Sequence, residues 1–462
     1  MLYKDAKDLK ASLSGILTLS VEGVQIVDSD KFNKKTIDEI VYNAVFSEPE
    51  VKEICRWIIW EYSHQLGIFP SSIQGLYEAR AKGEYSNITV PASNIRGMTY
   101  DTARAVFRSA IKNNAKAFIF EIARSEIGYT DQKPSEYTAV VLAAAIREGY
   151  RGPVFIQGDH YQLSASKFGK DPGAEIKTTK DLIKESVDAG FYNIDIDAST
   201  LVDLSKNSVR EQQRLNFEVT AELSAFIRSI EPEGITVSVG GEIGEVGKKN
   251  SNIEELKEFL KGFREELDKK GKSLKGISKI SVQTGTTHGG VPLPDGKIAE
   301  VKLDFNVLKE LSKAAIEEFG IGGTVQHGAS TLPEEAFDKF PQFDTLEVHL
   351  ATGFQNIIYD SSSFPKSLRQ EIYGYIRSEL KGEKKDSDSE EQFIYKTRKK
   401  GFGPFKKKMW DMPEDIRGKI SEEIEQKFNL FFKKLNAVNT KKLVEDKVKV
   451  RPVKIKIPQG IK

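Results

Sequence analysis

An apolar run that ends in an acid and a histidine, Val154-Phe155-Ile156-Gln157-Gly158-Asp159-His160, predicts a buried strand with polar side chains at its carboxyl end. Burying a carboxylate or an imidazole is costly unless it gains a partner, commonly a metal ion or a hydrogen bond. The same order, an apolar strand followed by Gly or Thr and then His, recurs at residues 281–290 and 323–330. Three of the five histidines, His160, His288 and His327, lie in these stretches, which predicts a shared site.

Strand-like and helix-like segments alternate on both sides of this run. The predicted strands are residues 87–91, 117–122, 154–157, 192–197, 235–239, 279–283, 324–326 and 345–350. A segment with apolar residues at helical spacing follows each strand. Alternation of this kind implies parallel pairing with right-handed crossovers, and eight units close an α/β fold of the (β/α)8 TIM barrel type. An open doubly wound sheet is the alternative, but no G-x-G-x-x-G phosphate loop follows the first strand.

The same pattern divides the chain into three parts. Residues 1–85 are predicted to form a helical N-terminal extension, residues 86–380 the catalytic barrel, and residues 381–462 a charged loop with a helical C-terminal extension. Within the last part, residues 398–410 mix basic and aromatic side chains. Such a mixture occurs in nucleic-acid binding sites, but acidic neighbours balance the charge. A packing segment that reaches the barrel mouth is therefore favoured.

Charge and composition argue against several classes of protein. The net charge of the 462 residues is +1, which favours neither nucleic acid nor a membrane surface as a partner. The single cysteine, Cys55, precludes an intrachain disulfide and suits a reducing compartment. No apolar run approaches the roughly 18 residues of a membrane-spanning helix, and the N-terminus lacks the apolar core of a signal peptide. We therefore expect a cytoplasmic protein without a membrane segment.

In a barrel of this kind, catalytic side chains lie where the strands end. The three histidines follow the predicted third, sixth and seventh strands, and three imidazoles beside an open position are the ligand set of a catalytic zinc ion. Asp197 and Glu242 end the fourth and fifth strands. They hold a second cation, orient the histidines, or serve the structure, and the sequence leaves these roles open. Because Lys279 begins its strand and no lysine ends one, a Schiff-base mechanism is disfavoured.

Small residues follow two of the histidines, as Gly289-Gly290 and Gly328-Ala329-Ser330. Glycines let backbone N–H groups approach an anion, and a serine adds a hydroxyl donor. A simple turn is the alternative for either stretch alone. After the late strands of a barrel and beside a metal site, these stretches predict a contact with a substrate phosphate.

Together these motifs resemble the class II, zinc-dependent fructose-bisphosphate aldolase family over about residues 86–360. The motifs that carry the resemblance are Val90-Pro91-Ala92-Ser93-Asn94, Gly158-Asp159-His160, Ile196-Asp197-Ala198-Ser199, Glu242-Ile243-Gly244, Thr287-His288-Gly289 and His327-Gly328-Ala329-Ser330. Their order at matching strand ends is specific, whereas any single motif is not.

The resemblance implies a role for each matching residue. The zinc ligands fall on His160, His288 and His327, the alternate cation site on Asp197 and Glu242, and the substrate contacts on Asn94, Gly289, Gly328 and Ser330. Asp159 falls on the family's catalytic aspartate. That residue moves the proton of the substrate hydroxyl as the carbon–carbon bond breaks or forms.

The predicted eighth strand departs from the family pattern. The family has an Asn followed by an Asp-Thr pair, whereas here His349 stands at the Asn position and Ala351 replaces the Asp. Thr352 is kept, and we assign His349 and Thr352 to the substrate. The acidic loop after the fifth strand is also changed, which leaves Glu245 as the candidate for its catalytic proton transfer.

The sequence thus predicts a zinc-dependent aldolase that reversibly cleaves a phosphorylated ketose to dihydroxyacetone phosphate and an aldehyde. A substrate of the fructose or tagatose bisphosphate type is expected, with a second divalent or monovalent cation and a homo-oligomer of two or more chains. Two alternatives remain on the same barrel. One is a metal-dependent sugar-phosphate isomerase or epimerase, and the other is a sugar-phosphate binding protein without catalytic activity.

Overall fold

Eight parallel strands close into a barrel in the computed structural model, which describes residues 2–244, 249–285 and 303–461. The strands are β4 (Val90–Asn94), β5 (Ile119–Ala123), β6 (Gly152–Gln162), β7 (Asn193–Asp197), β8 (Ser238–Glu242), β9 (Lys279–Val282), β10 (Thr324–Gln326) and β11 (Glu347–Leu350). Each strand pairs in parallel with the next, and the pairing of Val348 in β11 with Pro91 in β4 completes the circle. The predicted (β/α)8 barrel is confirmed.

Helices surround the barrel and make up most of both extensions. They are α1 (Ala6–Ser12), α2 (Ser29–Lys31), α3 (Ile37–Phe46), α4 (Pro49–Gln65), α5 (Gln74–Ala81), α6 (Thr99–Lys112), α7 (Arg124–Tyr129), α8 (Pro134–Glu148), α9 (Ala165–Lys170), α10 (Pro172–Asp188), α11 (Val209–Ile230), α12 (Ile253–Lys270), α13 (Phe305–Glu317), α14 (Lys339–Gln342), α15 (Thr352–Asp360), α16 (Lys366–Glu379), α17 (Glu390–Thr397), α18 (Lys406–Trp410), α19 (Glu414–Lys434) and α20 (Lys441–Lys447). With helices outside and side chains inside, every residue of β4, β5, β7 and β8 is buried. None of the helices described is long and apolar enough to cross a bilayer.

The N-terminal extension contains three strands that the helical prediction missed. β1 (Leu17–Ser20) and β2 (Gly23–Ile26) form an antiparallel hairpin. β3 (Ile68–Ser71) adds a parallel strand beside the start of β6, where Ile68 pairs with Gly152. Each of these strands has four residues, which is too short to show a clear alternation in sequence. The prediction for residues 1–85 is therefore corrected from helical to helical with three short strands.

The C-terminal extension packs against the barrel through partly buried ion pairs and aromatic rings. Arg417 of α19 lies 2.7 Å from Asp101 of α6, and Glu425 lies 2.6 Å from Arg108. Farther along α19, the Phe432 ring packs edge-on against Phe118, with ring centroids 5.6 Å apart. These contacts hold α19 along the outside of α6.

The basic and aromatic segment before α19 also packs on the barrel. The Arg398 guanidinium lies 2.6 Å from Asp360, and the backbone carbonyl of Arg398 accepts a hydrogen bond from the Tyr359 hydroxyl. Phe402 is buried against Gly97, and its ring occupies the space that a Cβ would need there. A larger residue at Gly97 would therefore displace this segment from the barrel mouth.

Candidate functional site

A cavity of about 540 Å³ lies at the carboxyl ends of the barrel strands. Its wall includes eight residues that the sequence assigns to the site, namely Asn94, Asp159, His160, His327, Gly328, Ser330, His349 and Thr352. Asp197 and Glu242 contact His160 from β7 and β8. Glu245, His288 and Gly289 lie outside the described residues. The closed barrel thus gathers side chains that are up to 258 residues apart in the sequence.

His160 stands at an irregular point of β6. The register with β7 shifts between Gly158 and Tyr161, and His160 has a left-handed backbone with φ of 41°. A non-glycine residue in that region costs of order 1–3 kcal/mol and is retained where its surroundings impose it. The shift turns the imidazole towards β7 and β8, where Nδ1 lies 3.3 Å from Asp197 Oδ2 and 3.2 Å from Glu242 Oε2.

Neighbouring charges shift the pKa values of His160 and His327 in opposite directions. Burial alone would lower the pKa of His160, but Asp159 and Glu242 overcome that effect and raise the pKa well above its usual value. Burial lowers the pKa of His327, and the neighbouring His160 and His349 lower it further. The ring centroids of His160 and His327 are 4.0 Å apart. His327 is therefore held as a neutral imidazole, the form that binds metal ions.

Asp159 lies among three imidazoles. Its Oδ1 is 3.1 Å from His349 Nδ1 and 3.5 Å from His327 Nε2. Burial would raise the pKa of this carboxyl, but His160 and His349 outweigh burial and hold the pKa well below its usual value. Asp159 is thus ionised at neutral pH and able to accept a proton.

His349 connects Asp159 to a charged network inside the barrel. Its Nε2 lies 2.6 Å from Glu347 Oε1, and Tyr77 donates a hydrogen bond to the other oxygen of Glu347. Lys279 Nζ lies 2.6 Å from Glu347 Oε1 and 3.0 Å from Asp195 Oδ2. The positive charge of Lys279 is balanced by these two carboxylates, and the side chain does not line the cavity. The geometry thus agrees with the expectation that Lys279 is no Schiff-base residue.

The turn after β10 and the start of α15 meet at one side of the cavity. Gly328 has a φ of 70°, which glycine adopts without strain, and a short 3-10 turn follows at Ala329–Thr331. The Ser330 hydroxyl accepts a hydrogen bond from the N–H of Gly353, 3.1 Å away. Thr352 begins α15, whose free N–H groups and dipole favour an anion. This corner has the donors that a phosphate needs.

Several cavity residues were missed by the sequence analysis. They are Arg96, Glu121, Ala123, Gln162, Leu163, Ser164, Lys167, Glu175 and Lys399, besides Ala351, which was noted only as a replacement. Arg96 pairs with Glu126 at 2.7 Å, and Arg124 pairs with Glu175 at 2.8 Å. Lys399 comes from the C-terminal extension, and the basic composition of residues 398–410 was the one available signal for it.

Three groups of side chains among the described residues bring possible ligand atoms within 4.8 Å of one another. They are Asp159, His327 and His349; His160, Glu242 and His327; and Glu121, Glu347 and His349. Imidazole nitrogens with one or two carboxylates are donor sets that zinc and other first-row divalent cations accept. The residues at the barrel mouth therefore fit a bound divalent cation.

The sequence comparison identifies the family. The sequence model of the family described as fructose-bisphosphate aldolase class-II matches residues 75–434. The chain therefore belongs to the class II fructose-bisphosphate aldolase family, whose members are typically metal dependent. The match runs through α19, so it includes much of the segment that the sequence analysis treated as an extension. A search of curated protein sequences gives no match.

Solved structures align with this chain at low sequence identity. A probable tagatose 6-phosphate kinase from Sinorhizobium meliloti 1021 aligns with a TM-score of 0.52 and 15% identity, over 78% of this chain and 93% of that chain. A fructose-bisphosphate aldolase from Campylobacter jejuni aligns with a TM-score of 0.48 and 20% identity, over 81% and 97%. The YdjI aldolase from Escherichia coli K12 gives 0.44 and 15%, over 78% and 97%.

Proposed function

We propose that the chain is a metal-dependent aldolase that reversibly cleaves a phosphorylated ketose to dihydroxyacetone phosphate and an aldehyde. One observation carries the proposal. In a member of the class II aldolase family, an ionised Asp159 lies 3.5 Å from the neutral His327, in the same cavity as His160 and Ser330. A proton acceptor, ligands for a cation and donors for a phosphate are the groups that aldol cleavage of a ketose phosphate requires.

The proposed cation is zinc, held by His160, His327 and His288. The imidazole and carboxylate donors at the cavity support this choice, since they suit zinc. A bound zinc ion supplies Lewis-acid polarisation of the substrate carbonyl. Asp197 and Glu242 orient His160 or accept a second cation, because both carboxylates face its Nδ1.

Asp159 is proposed to carry the proton. In cleavage it accepts the proton of the hydroxyl on the carbon that becomes the aldehyde, while the carbon–carbon bond breaks and its electron pair remains on the ketone fragment. In synthesis the proton returns to the same oxygen. Asn94 supports the position of Asp159, since its Nδ2 lies 3.5 Å from Oδ2. Glu245 is proposed as a second proton-transfer residue on the basis of the resemblance alone.

The phosphate of the dihydroxyacetone phosphate half is proposed to bind Gly328, Ser330 and Thr352, together with Gly289. The support is the start of α15 and the Ser330 hydroxyl, whose hydrogen is free for a ligand because its oxygen accepts from Gly353. Lys167 and Lys399 line other parts of the wall. They make the cavity suitable for an anionic substrate such as fructose or tagatose bisphosphate.

A metal-dependent isomerase or epimerase of sugar phosphates is the second candidate. It is favoured by the end of β11, where His349 and Ala351 replace the Asn and Asp of the family pattern. His349 adds an imidazole beside Asp159, and two adjacent proton-handling groups suit proton transfer between carbons. The third candidate, a binding protein without turnover, gains no support from the ionised Asp159.

A cytoplasmic location and a homo-oligomer complete the proposal. The single buried cysteine supports the location.

A panel of ketose phosphates tests the proposal. Purified chain with added zinc is incubated with fructose 1,6-bisphosphate, tagatose 1,6-bisphosphate and their monophosphates, and release of dihydroxyacetone phosphate is followed by a coupled assay. The proposed function predicts release from at least one bisphosphate. Interconversion of the ketoses without release would establish the isomerase or epimerase instead. Binding without either reaction would leave only the binding protein.

A further inference from the structure

The two ring nitrogens of His349 face different surroundings. Nε2 lies 2.6 Å from Glu347 Oε1, and Glu347 also contacts Lys279 Nζ at 2.6 Å. Because the lysine keeps Glu347 ionised, the carboxylate accepts and His349 Nε2 donates. Nε2 therefore carries a proton, and Nδ1 is the nitrogen that faces the second set of partners.

The Nδ1 side of His349 faces two acidic side chains. Asp159 Oδ1 lies 3.1 Å away and Glu121 Oε2 lies 3.2 Å away. The ionised Asp159 oxygen at this distance requires a positive charge between it and Nδ1, which either a proton or a bound cation supplies. All three side chains are buried, so water screens the charge of Asp159 poorly.

A third side chain, that of His327, lies close to the same Asp159 oxygen. His327 Nε2 lies 3.5 Å from the same Oδ1 of Asp159. Ligand atoms bound to one first-row ion at about 2.0–2.2 Å are separated by roughly 3–3.5 Å. The separations of 3.1 and 3.5 Å around Asp159 Oδ1 match that spacing.

We propose that Asp159, His327 and His349 form a binding position for a first-row divalent cation, with Glu347 as the carboxylate that orients His349. Two histidines and one carboxylate are a common donor set for such ions. A carboxylate that accepts the outer N–H of a histidine is the usual partner of a metal ligand, because it fixes the ring orientation and raises the basicity of the inner nitrogen.

This position differs from the one expected at His160. The Nδ1 of His160 faces Glu242 and Asp197, whereas the Nδ1 of His349 faces Asp159 and Glu121. His327 belongs to both groups. Glu121 lies beside the new position, and its Oε1 has no hydrogen-bond partner among the described residues. It is therefore placed to accept from a water molecule on the ion.

Anomalous diffraction from the full chain, stripped of metal and then loaded with cobalt, tests this position. The proposal predicts a cobalt peak about 2.1 Å from His349 Nδ1. The variant H349N introduces the residue of the family pattern and should lose this peak. Anomalous density confined to the surroundings of His160 and Glu242 in the wild type, with none at bonding distance from His349, would overturn the proposal.

Cobalt titration in solution gives a second test that does not depend on crystals. The variant E347Q leaves all three ligands in place and removes the charge that orients His349, so cobalt affinity should fall about 10–100-fold. E231Q, which alters a carboxylate paired with Arg228 away from the cavity, is the matched control and should bind cobalt as the wild type does. Equal affinity in E347Q and E231Q would contradict the proposal. Both readouts are independent of turnover, so a chain that binds cobalt at His349 but cleaves no ketose phosphate keeps this inference and loses the proposed function.

Discussion

Replacing Lys279 by methionine should destabilise the barrel, because the ammonium neutralises two buried carboxylates. Nζ lies 2.6 Å from Glu347 Oε1 and 3.0 Å from Asp195 Oδ2, and 1% of the lysine side chain is exposed. Methionine keeps the apolar stem but removes the charge. Removal of one partner from a buried ion pair costs about 3–5 kcal/mol. We expect a loss of that size in the free energy of unfolding of K279M near neutral pH.

The effect should depend on pH in a definite direction. Burial raises the pKa of Asp195 to about 6 even with Lys279 present, and loss of the ammonium raises it further. A group whose pKa is higher in the folded state favours folding below its unfolded pKa and loses that contribution as the pH rises through its folded pKa. The stability lost in K279M should therefore be smaller around pH 5, where Asp195 is largely protonated and Glu347 alone loses its partner, than around pH 8, where both carboxylates are ionised.

Urea unfolding followed by circular dichroism measures the effect at both pH values. K116M is the matched control, since Lys116 Nζ also lies 2.6 Å from a carboxylate, but its partner Glu445 is 45% exposed. Because water screens the exposed carboxylate of Glu445, this pair should contribute at most about 1 kcal/mol. Equal stability losses in K279M and K116M around pH 8 would refute the account of the interior network.

Three further predictions concern the site and the C-terminal extension. D159N should lower kcat for ketose bisphosphate cleavage about 10²–10⁴-fold with little change in KM, because the amide accepts no proton. Steady-state kinetics measures both constants, and an unchanged kcat would show that Asp159 does not transfer the proton. S330A should raise KM about 10–100-fold through the loss of one hydrogen bond to a charged phosphate. S125A, which alters another serine of the cavity wall, should leave KM unchanged. Equal effects of the two variants on KM would contradict the placement of the phosphate at Ser330. R417M should lower the free energy of unfolding by about 1–3 kcal/mol, because buried Asp101 loses its partner; an unchanged urea midpoint would show that this contact does not hold α19.

Much of the barrel follows from local sequence. Six of the eight predicted strands overlap observed strands by at least three residues, as at β7 (Asn193–Asp197), where an apolar run alternates with carboxylates. Two boundaries shift by about three residues. β4 (Val90–Asn94) and β8 (Ser238–Glu242) continue into Ser-Asn and Gly-Gly-Glu, which have no apolar signal and are buried because the barrel closes around them. Tertiary pairing thus overrides local preference at these ends.

The site was predictable where a polar residue ends a strand. Asp159, His160 and His327 follow apolar runs, so the sequence identifies them as candidates, and the cavity contains all three. Glu347 stands two residues before His349 in β11, so strand alternation places the two side chains on one face. Glu121 lies inside β5, and sequence alone gives no indication that it faces His349. That pairing depends on closure of the barrel, which brings β5 and β11 together across the interior.

Residues from outside the barrel strands were harder to predict. Lys399 reaches the cavity from the C-terminal extension, far along the chain from Asp159. No period or motif links such distant positions, and only the packing of residues 398–410 onto the barrel brings them together. The same holds for β3 (Ile68–Ser71), which has the sequence Ile-Phe-Pro-Ser and joins the sheet only through β6.

The central claim is a metal-dependent aldolase, and one measurement tests it most directly. Cleavage of fructose 1,6-bisphosphate and tagatose 1,6-bisphosphate is measured with the chain as purified, after removal of metal by a chelator, and after zinc is restored. The account predicts release of dihydroxyacetone phosphate that disappears with the metal and returns with zinc. Release that is unaffected by complete metal removal would contradict it.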